Sequence, residues 1–169
     1  MKKAGITVLM MVMVMSASAQ LTINKKVDDM TDKVSYSASE GLVCAEADLK
    51  LGFRIDPNIT VKKDEQVIND LIITMVGLES CNESNKMIIL FENGEKLNLV
   101  SWNKFNCKGT AYFSLTPSQI NKLKENEITK IRLTNGKSYK SYTSELENKG
   151  YFIELFGLLN APEEVEVTE

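Results

Sequence analysis

Asn93-Gly94 stands between two strand-like runs, Lys86-Met87-Ile88-Ile89-Leu90-Phe91-Glu92 and Glu95-Lys96-Leu97-Asn98-Leu99-Val100. Few dipeptides signal a hairpin more strongly. Both turn positions of a two-residue type I′ hairpin need positive φ, which Asn and Gly tolerate. Such a turn commits the segment to antiparallel sheet. It also sets Leu90 opposite Leu97 and Ile88 opposite Leu99, with all four on one face.

The rest of the chain extends the same architecture. Ala47, Leu49, Leu51, Phe53 and Ile55 alternate with Asp48, Lys50, Gly52 and Arg54, which describes a half-buried strand; Asp56-Pro57-Asn58 is expected to end it as a turn. Leu71 to Val76 is apolar and β-branched, suited to a more fully buried strand. Thr110 to Leu115 reads as a strand that runs straight into a helix start. Thr116 is the N-cap, Pro117 takes the first helical position, Gln119 completes a capping box, and Leu115 and Ile120 form a hydrophobic staple. Ile120 and Leu123 face the core, and the helix ends near Asn126. Ile128 to Leu133 returns as a strand. Asn135-Gly136 then turns it into Lys137 to Thr143, although strict two-residue pairing sets Ile131 against Lys140. Tyr151, Phe152, Leu155, Phe156 and Leu159 recur at helical spacing, and Pro162 stops that helix. The pattern predicts an α+β, β-dominated fold, an antiparallel sandwich or partial barrel with one short capped helix and a C-terminal amphipathic helix.

The first 19 residues carry a different message. Lys2 and Lys3 precede an apolar run from Ile6 to Met15, and Ala17-Ser18-Ala19 is a small-residue cleavage site. This is the layout of a secretory signal, too short for a permanent membrane span. The expected organisation is a signal peptide at 1–19, a polar lead-in at 20–39 with a short strand near Val34 to Tyr36, a single β-rich domain at 40–160 and an acidic tail at 161–169. After cleavage the chain would start at Gln20 with no stable membrane anchor, in the periplasm or secreted.

Cleavage changes the charge that a partner meets. The whole chain has 20 Lys plus Arg against 23 Asp plus Glu; loss of Lys2 and Lys3 leaves 18 against 23, a net −5. An acidic chain with scattered lysines fits a phosphate backbone poorly, so nucleic acid is not an expected partner.

Cys44, Cys81 and Cys107 would enter an oxidising compartment. Carried outward from a two-residue turn, the hairpin brings Cys81 and Cys107 within one residue of lying opposite each other. A Cys81–Cys107 disulfide with Cys44 free is therefore expected, stabilising by roughly 3 kcal/mol in the chain-entropy model.

The chain has no histidine, which removes Ser-His-Asp and Cys-His catalysis, imidazole metal sites and histidine pH switching. It also lacks a Gly-rich phosphate loop, a G-x-S-x-G elbow and a Cys-x-x-Cys motif. Asp28, Asp29 and Asp32 do not have the spacing of a calcium loop, and a pair such as Glu79 and Glu83 is common among so many carboxylates. No cofactor and no metal is expected. One segment does suggest recognition. Ser101-Trp102-Asn103-Lys104-Phe105-Asn106 follows the hairpin and holds the single Trp, so Trp102 and Phe105 are partner-binding candidates, the plainer reading being that both cap the core. Tyr139 and Tyr142, with Lys137 and Lys140, are either a surface patch or ordinary residues of an amphipathic strand.

The assembled series resembles small exported proteins of Bacteroidetes-type bacteria. The resemblance rests on Ala17-Ser18-Ala19 before Gln20, Ile88 to Leu99 around Asn93-Gly94, Tyr112-Phe113-Ser114-Leu115-Thr116, Ile128-Thr129-Lys130-Ile131-Arg132-Leu133 and Tyr151-Phe152-Ile153. It covers roughly the second half of the chain beyond the signal. These are structural positions, and no functional residue is carried over from them.

The functional expectation is an exported, non-enzymatic binding module for a protein, peptide or glycan. The alternatives are a carboxylate-based hydrolase of envelope glycans, which needs two facing carboxylates with one desolvated, and a small lipid carrier, which needs an apolar cavity beneath the last helix.

Overall fold

A computed structural model describes residues 21–30, 33–62 and 65–160; the expected signal and acidic tail, with Pro162, lie outside the described residues. Along the chain come β1 (Ile23–Asp28), β2 (Lys33–Ala38), β3 (Leu42–Ala45), β4 (Gly52–Lys62), β5 (Glu65–Val76), β6 (Lys86–Phe91), β7 (Lys96–Val100), β8 (Thr110–Ser114), α1 (Pro117–Glu125), β9 (Ile128–Thr134), β10 (Ser141–Glu145) and α2 (Tyr151–Asn160). All strand pairs are antiparallel. One sheet has the order β1-β2-β4-β5-β8, with β3 also on β4; the other has the order β10-β9-β6-β7. The two sheets form a sandwich with a shared core, in which Phe53, Ile55, Leu71, Ile73 and Phe113 of the first join Met87, Ile89, Phe91, Ile131 and Leu133 of the second. This is the expected β-dominated α+β class.

The hairpin at Asn93-Gly94 is present, with a register one residue away from the expected one. Ile89 pairs with Leu97 and Met87 with Leu99, so Leu90 opposes Lys96 and Ile88 opposes Asn98. Gly94 N donates to Phe91 O (3.0 Å), Phe91 N donates to Glu95 O (3.0 Å), and Gly94 has φ +83°. That is a type I turn closed by a glycine bulge, a three-residue loop instead of two. A one-residue slip exchanges faces. Met87, Ile89 and Phe91 therefore fill the core while Ile88 and Leu90 are half-exposed on the outside.

Other boundaries also move. Ile23–Asp28 and Lys33–Ala38 pair as two antiparallel strands where a lead-in with one short strand is expected, and Ile23, Tyr36 and Ala38 pack against the core. Ala47 to Leu51 form a turn, in which Glu46 N donates to Leu51 O (2.9 Å) and Leu49 has φ +57°, so β4 starts at Gly52. It then continues through Asp56-Pro57-Asn58. β3 pairs with β4 only up to Ile55, and β2 pairs with it only from Asn58 onward. Pro57 lies in the gap between them, where a residue without an N–H interrupts no ladder on that side. Leu71 to Val76 is buried on one face only, because Thr74 and Val76 are exposed. β9 and β10 are joined by six residues, 135–140, and Ile131 pairs with Ser144 instead of Lys140.

The helices follow their local signals. Thr116 Oγ1 accepts from Gln119 N (3.3 Å) and Gln119 Oε1 accepts from Thr116 N (2.8 Å), completing the capping box, with Pro117 at the first turn. Tyr151, Phe152, Leu155, Phe156 and Leu159 are all buried, so α2 closes the core with its expected face. Tyr151 Oη donates to Glu40 O (2.7 Å), tying α2 to the segment before β3.

Cys44 is free and fully buried. Burial pushes its thiol from an ordinary 9.0 up to about 12, opposed by a hydrogen bond with Ser144. Burial, then the Asp56 carboxylate, pushes the Tyr151 phenol up from 10.0. In the unfolded chain both groups ionise earlier than in the fold. Their contribution is thus intact below pH 9 and is lost as pH rises from 9.0 towards 12. The urea midpoint should fall steadily above pH 9, and at pH 8 Cys44 should resist a thiol reagent until urea unfolds the chain. Rapid labelling of the native protein, or a midpoint flat to pH 11, contradicts this burial.

Candidate binding surface

Cys81 and Cys107 are bonded (S–S 2.02 Å), and Asn82 and Asn106 pair next to them across the two arms that extend the hairpin. Asparagine is usually a surface residue. Here Asn82, Asn85 and Asn135 are fully buried and Asn103 nearly so. Asn82 is the hub. Its Oδ1 accepts from Asn85 Nδ2 (2.7 Å) and Asn103 Nδ2 (2.9 Å), while its Nδ2 donates to Ser80 O (3.0 Å) and Asn106 Oδ1 (3.2 Å). Asn85 Oδ1 accepts from Gly136 N (3.0 Å), and Asn135 Nδ2 donates to Leu78 O (2.8 Å) and Cys81 O (3.1 Å). These bonds fasten the loops at 77–85, 101–109 and 135–140 into one unit.

The close fit explains two local features. A Cβ on Gly136 would collide with the carbonyl oxygens of Glu83 and Ser84, so the Asn135-Gly136 pair is used for backbone approach and not for a two-residue turn. Glu79, Ser84 and Tyr139 hold positive φ (69°, 48° and 62°) within these same loops. Such conformations persist where the surroundings over-determine them, and they gather at functional sites.

On this frame Trp102 is 58% and Phe105 53% exposed, so neither caps the core. Trp102 is nevertheless held firmly. Its Nε1 donates to Asp70 Oδ1 (3.0 Å), its backbone N donates to Tyr112 O (3.0 Å), and its ring stacks on Tyr112 with centroids 5.2 Å apart. Ser114 Oγ donates to the same Asp70 oxygen (2.7 Å). Tyr112 N donates to Asn103 Oδ1 (3.4 Å), linking the Trp102 platform to the buried asparagines. Phe105 meets a different partner, with Lys137 Nζ 5.6 Å from its ring centre. Both candidates thus belong to one loop, which Asn103 and Asn106 tie to Asn82, and each ring has its own contact, Tyr112 for Trp102 and Lys137 for Phe105.

The late tyrosines separate. Tyr139 is 81% exposed beside this loop cluster, whereas Tyr142 is half-buried with its ring edge-on to Phe53, centroids 6.3 Å apart. Glu79 pairs with Lys140 (2.7 Å), not with Glu83. Among the described residues no group of three or more His, Cys, Asp or Glu is placed to hold a metal.

A cleft of about 470 Å³ lies elsewhere, between β3, β10 and α2, and includes Glu40, Glu145, Glu147 and Glu154. All four carboxylates are exposed. Lys130, 2.6 Å away, holds the Glu145 carboxyl below its ordinary range, the direction opposite to that of a general acid.

No family model, curated protein or solved structure matches the chain. The site is read from its own geometry. Sequence reasoning missed Asp70, Tyr112 and the asparagine hub. One signal was available, since Cys81, Asn82 and Asn85 mirror Cys107, Asn106 and Asn103 across the hairpin.

Proposed function

We propose that this chain is an exported, non-enzymatic binding module whose partner, a protein, peptide or glycan, docks on the loops carrying Trp102 and Phe105. One observation carries the reading. Two large aromatic side chains stand exposed on loops that a disulfide and a buried hydrogen-bond network make rigid. Exposed aromatics cost solvation, while a pre-ordered frame removes the entropy loss that weakens most loop binders. A fold that stabilises a surface in this way is built for recognition.

Export rests on the N-terminal pattern of Lys2, Lys3, the apolar run and Ala17-Ser18-Ala19, and a disulfide suits an oxidising compartment. No helix among the described residues is long and apolar enough to cross a membrane. The hydrolase reading has less support, because the acidic cleft offers exposed carboxylates where one should be desolvated. The lipid-carrier reading is weaker too, because Phe152, Leu155 and Phe156 fill the space beneath α2.

Immobilised residues 20–169 should retain a specific component from an envelope extract, scored for both proteins and glycans. The W102A/F105A double variant should retain much less. Equal retention by both, or turnover of a glycan library with no retention, overturns the reading.

A further inference from the structure

The outer face of the first sheet beside Trp102 is laid out in two rows. Register places Ser37, Asn58, Asp70 and Ser114 across β2, β4, β5 and β8, and Asp56, Ile72 and Tyr112 across the next row. Tyr112 stacks on one face of the Trp102 ring, and Trp102 as a whole stays 58% exposed. Both donors that fix Asp70, Trp102 Nε1 and Ser114 Oγ, reach Oδ1. Oδ2 accepts no hydrogen bond among the described residues, and the half-exposed Asn58 lies directly across from Asp70.

Resting on the binding reading above, we propose that the ligand is a neutral saccharide, stacked on the exposed Trp102 with its hydroxyls bound by Asp70 Oδ2 and Asn58. The chemistry of each part selects this class. Axial C–H groups of a pyranose carry partial positive charge and pack on the negative face of an indole. Sugar hydroxyls need both acceptors and donors at the ring edge, which a carboxylate oxygen and a carboxamide supply. Charge argues in the same direction. Arg54 and Asp56 neutralise each other (2.9 Å), so Asp70 is the remaining charge in these two rows, and it repels acidic polymers while accepting from neutral hydroxyls. The ring itself is pinned at Nε1, at its backbone and by Tyr112, so stacking freezes few rotors.

Because Trp102 is the single Trp, its fluorescence reports on the site directly. Residues 20–169 are titrated with hexasaccharides of glucose, mannose, xylose and N-acetylglucosamine, and with oligogalacturonate as the acidic control. At least one neutral hexasaccharide should give a saturable spectral shift, and the acidic one should not. Asp70→Asn keeps the Oδ1 acceptor for Trp102 and Ser114 but turns the free oxygen into a donor; with unchanged unfolding it should weaken binding at least tenfold, as should Asn58→Ala. Calorimetry repeats the titration without relying on fluorescence. No response to any neutral sugar by either method, or binding that ignores both substitutions, overturns the saccharide assignment. If a protein is then retained in a Trp102-dependent manner, only the ligand class is wrong. If nothing depends on Trp102, the surface reading fails as well.

Discussion

Replacing Asn82 by leucine is expected to destabilise the protein by about 3–5 kcal/mol, because several buried polar groups lose their partner at once. Leucine keeps the branched outline of asparagine but is bulkier, so overpacking at this buried position adds to the lost hydrogen bonds. Asn85 Nδ2 and Asn103 Nδ2 lose their shared acceptor, and Ser80 O and Asn106 Oδ1 lose a donor. Asn85 and Asn103 are too deeply buried for water to replace it without opening the loops. Against a total of about 5–15 kcal/mol for a domain, this is a large fraction. Urea unfolding measures it. Hydrogen exchange should place the greatest loss of protection in the loops around Asn82, Asn103 and Asn135. A change under about 1 kcal/mol would mean that the network is not what holds these loops.

What the sequence discloses depends on how local each determinant is. The start of α1 is legible because its whole apparatus, Thr116, Pro117 and Gln119, lies within four consecutive residues. The Asn93-Gly94 hairpin is legible as a hairpin, but its register is not. Both faces of β6 are apolar, and the same dipeptide serves a two-residue turn or a turn with a glycine bulge. Burial of Phe91 in the core selects the second, and that is a tertiary preference. The strand through Pro57 is hidden for a similar reason, since the gap between β2 and β3 is invisible along the chain.

The expected Cys81–Cys107 bond is present although the glycine bulge shifts the hairpin register by one residue. β6 and β7 pair in one register, while Asn82 and Asn106 pair two residues out from it, so the arms shift between them. Cys81 and Cys107 still meet at the end. The candidate site is legible only in part. Trp102 and Phe105 are conspicuous as residue types, yet their exposure depends on partners far along the chain. Asp70 is 32 residues from Trp102, and Lys137 lies in the loop between β9 and β10. The asparagines are least legible, because a buried amide is stable only where several non-local groups satisfy it.

The second large effect separates a binding surface from a core cap. The W102A/F105A double variant should lose partner binding by a hundredfold or more, as for aromatic hot spots. Its fold should hardly suffer. Trp102 contributes one exposed hydrogen bond and a stack on Tyr112, and Phe105 a contact with Lys137. Together these are worth about 1–2 kcal/mol. Two buried aromatics would instead cost about 3–5 kcal/mol each. The unfolding free energy of the double variant in urea, compared with the unaltered chain, is therefore the most direct measurement. A loss of about 2 kcal/mol or less is the predicted result. A loss of about 6 kcal/mol or more, or a chain that no longer folds, would return Trp102 and Phe105 to the core and contradict the account.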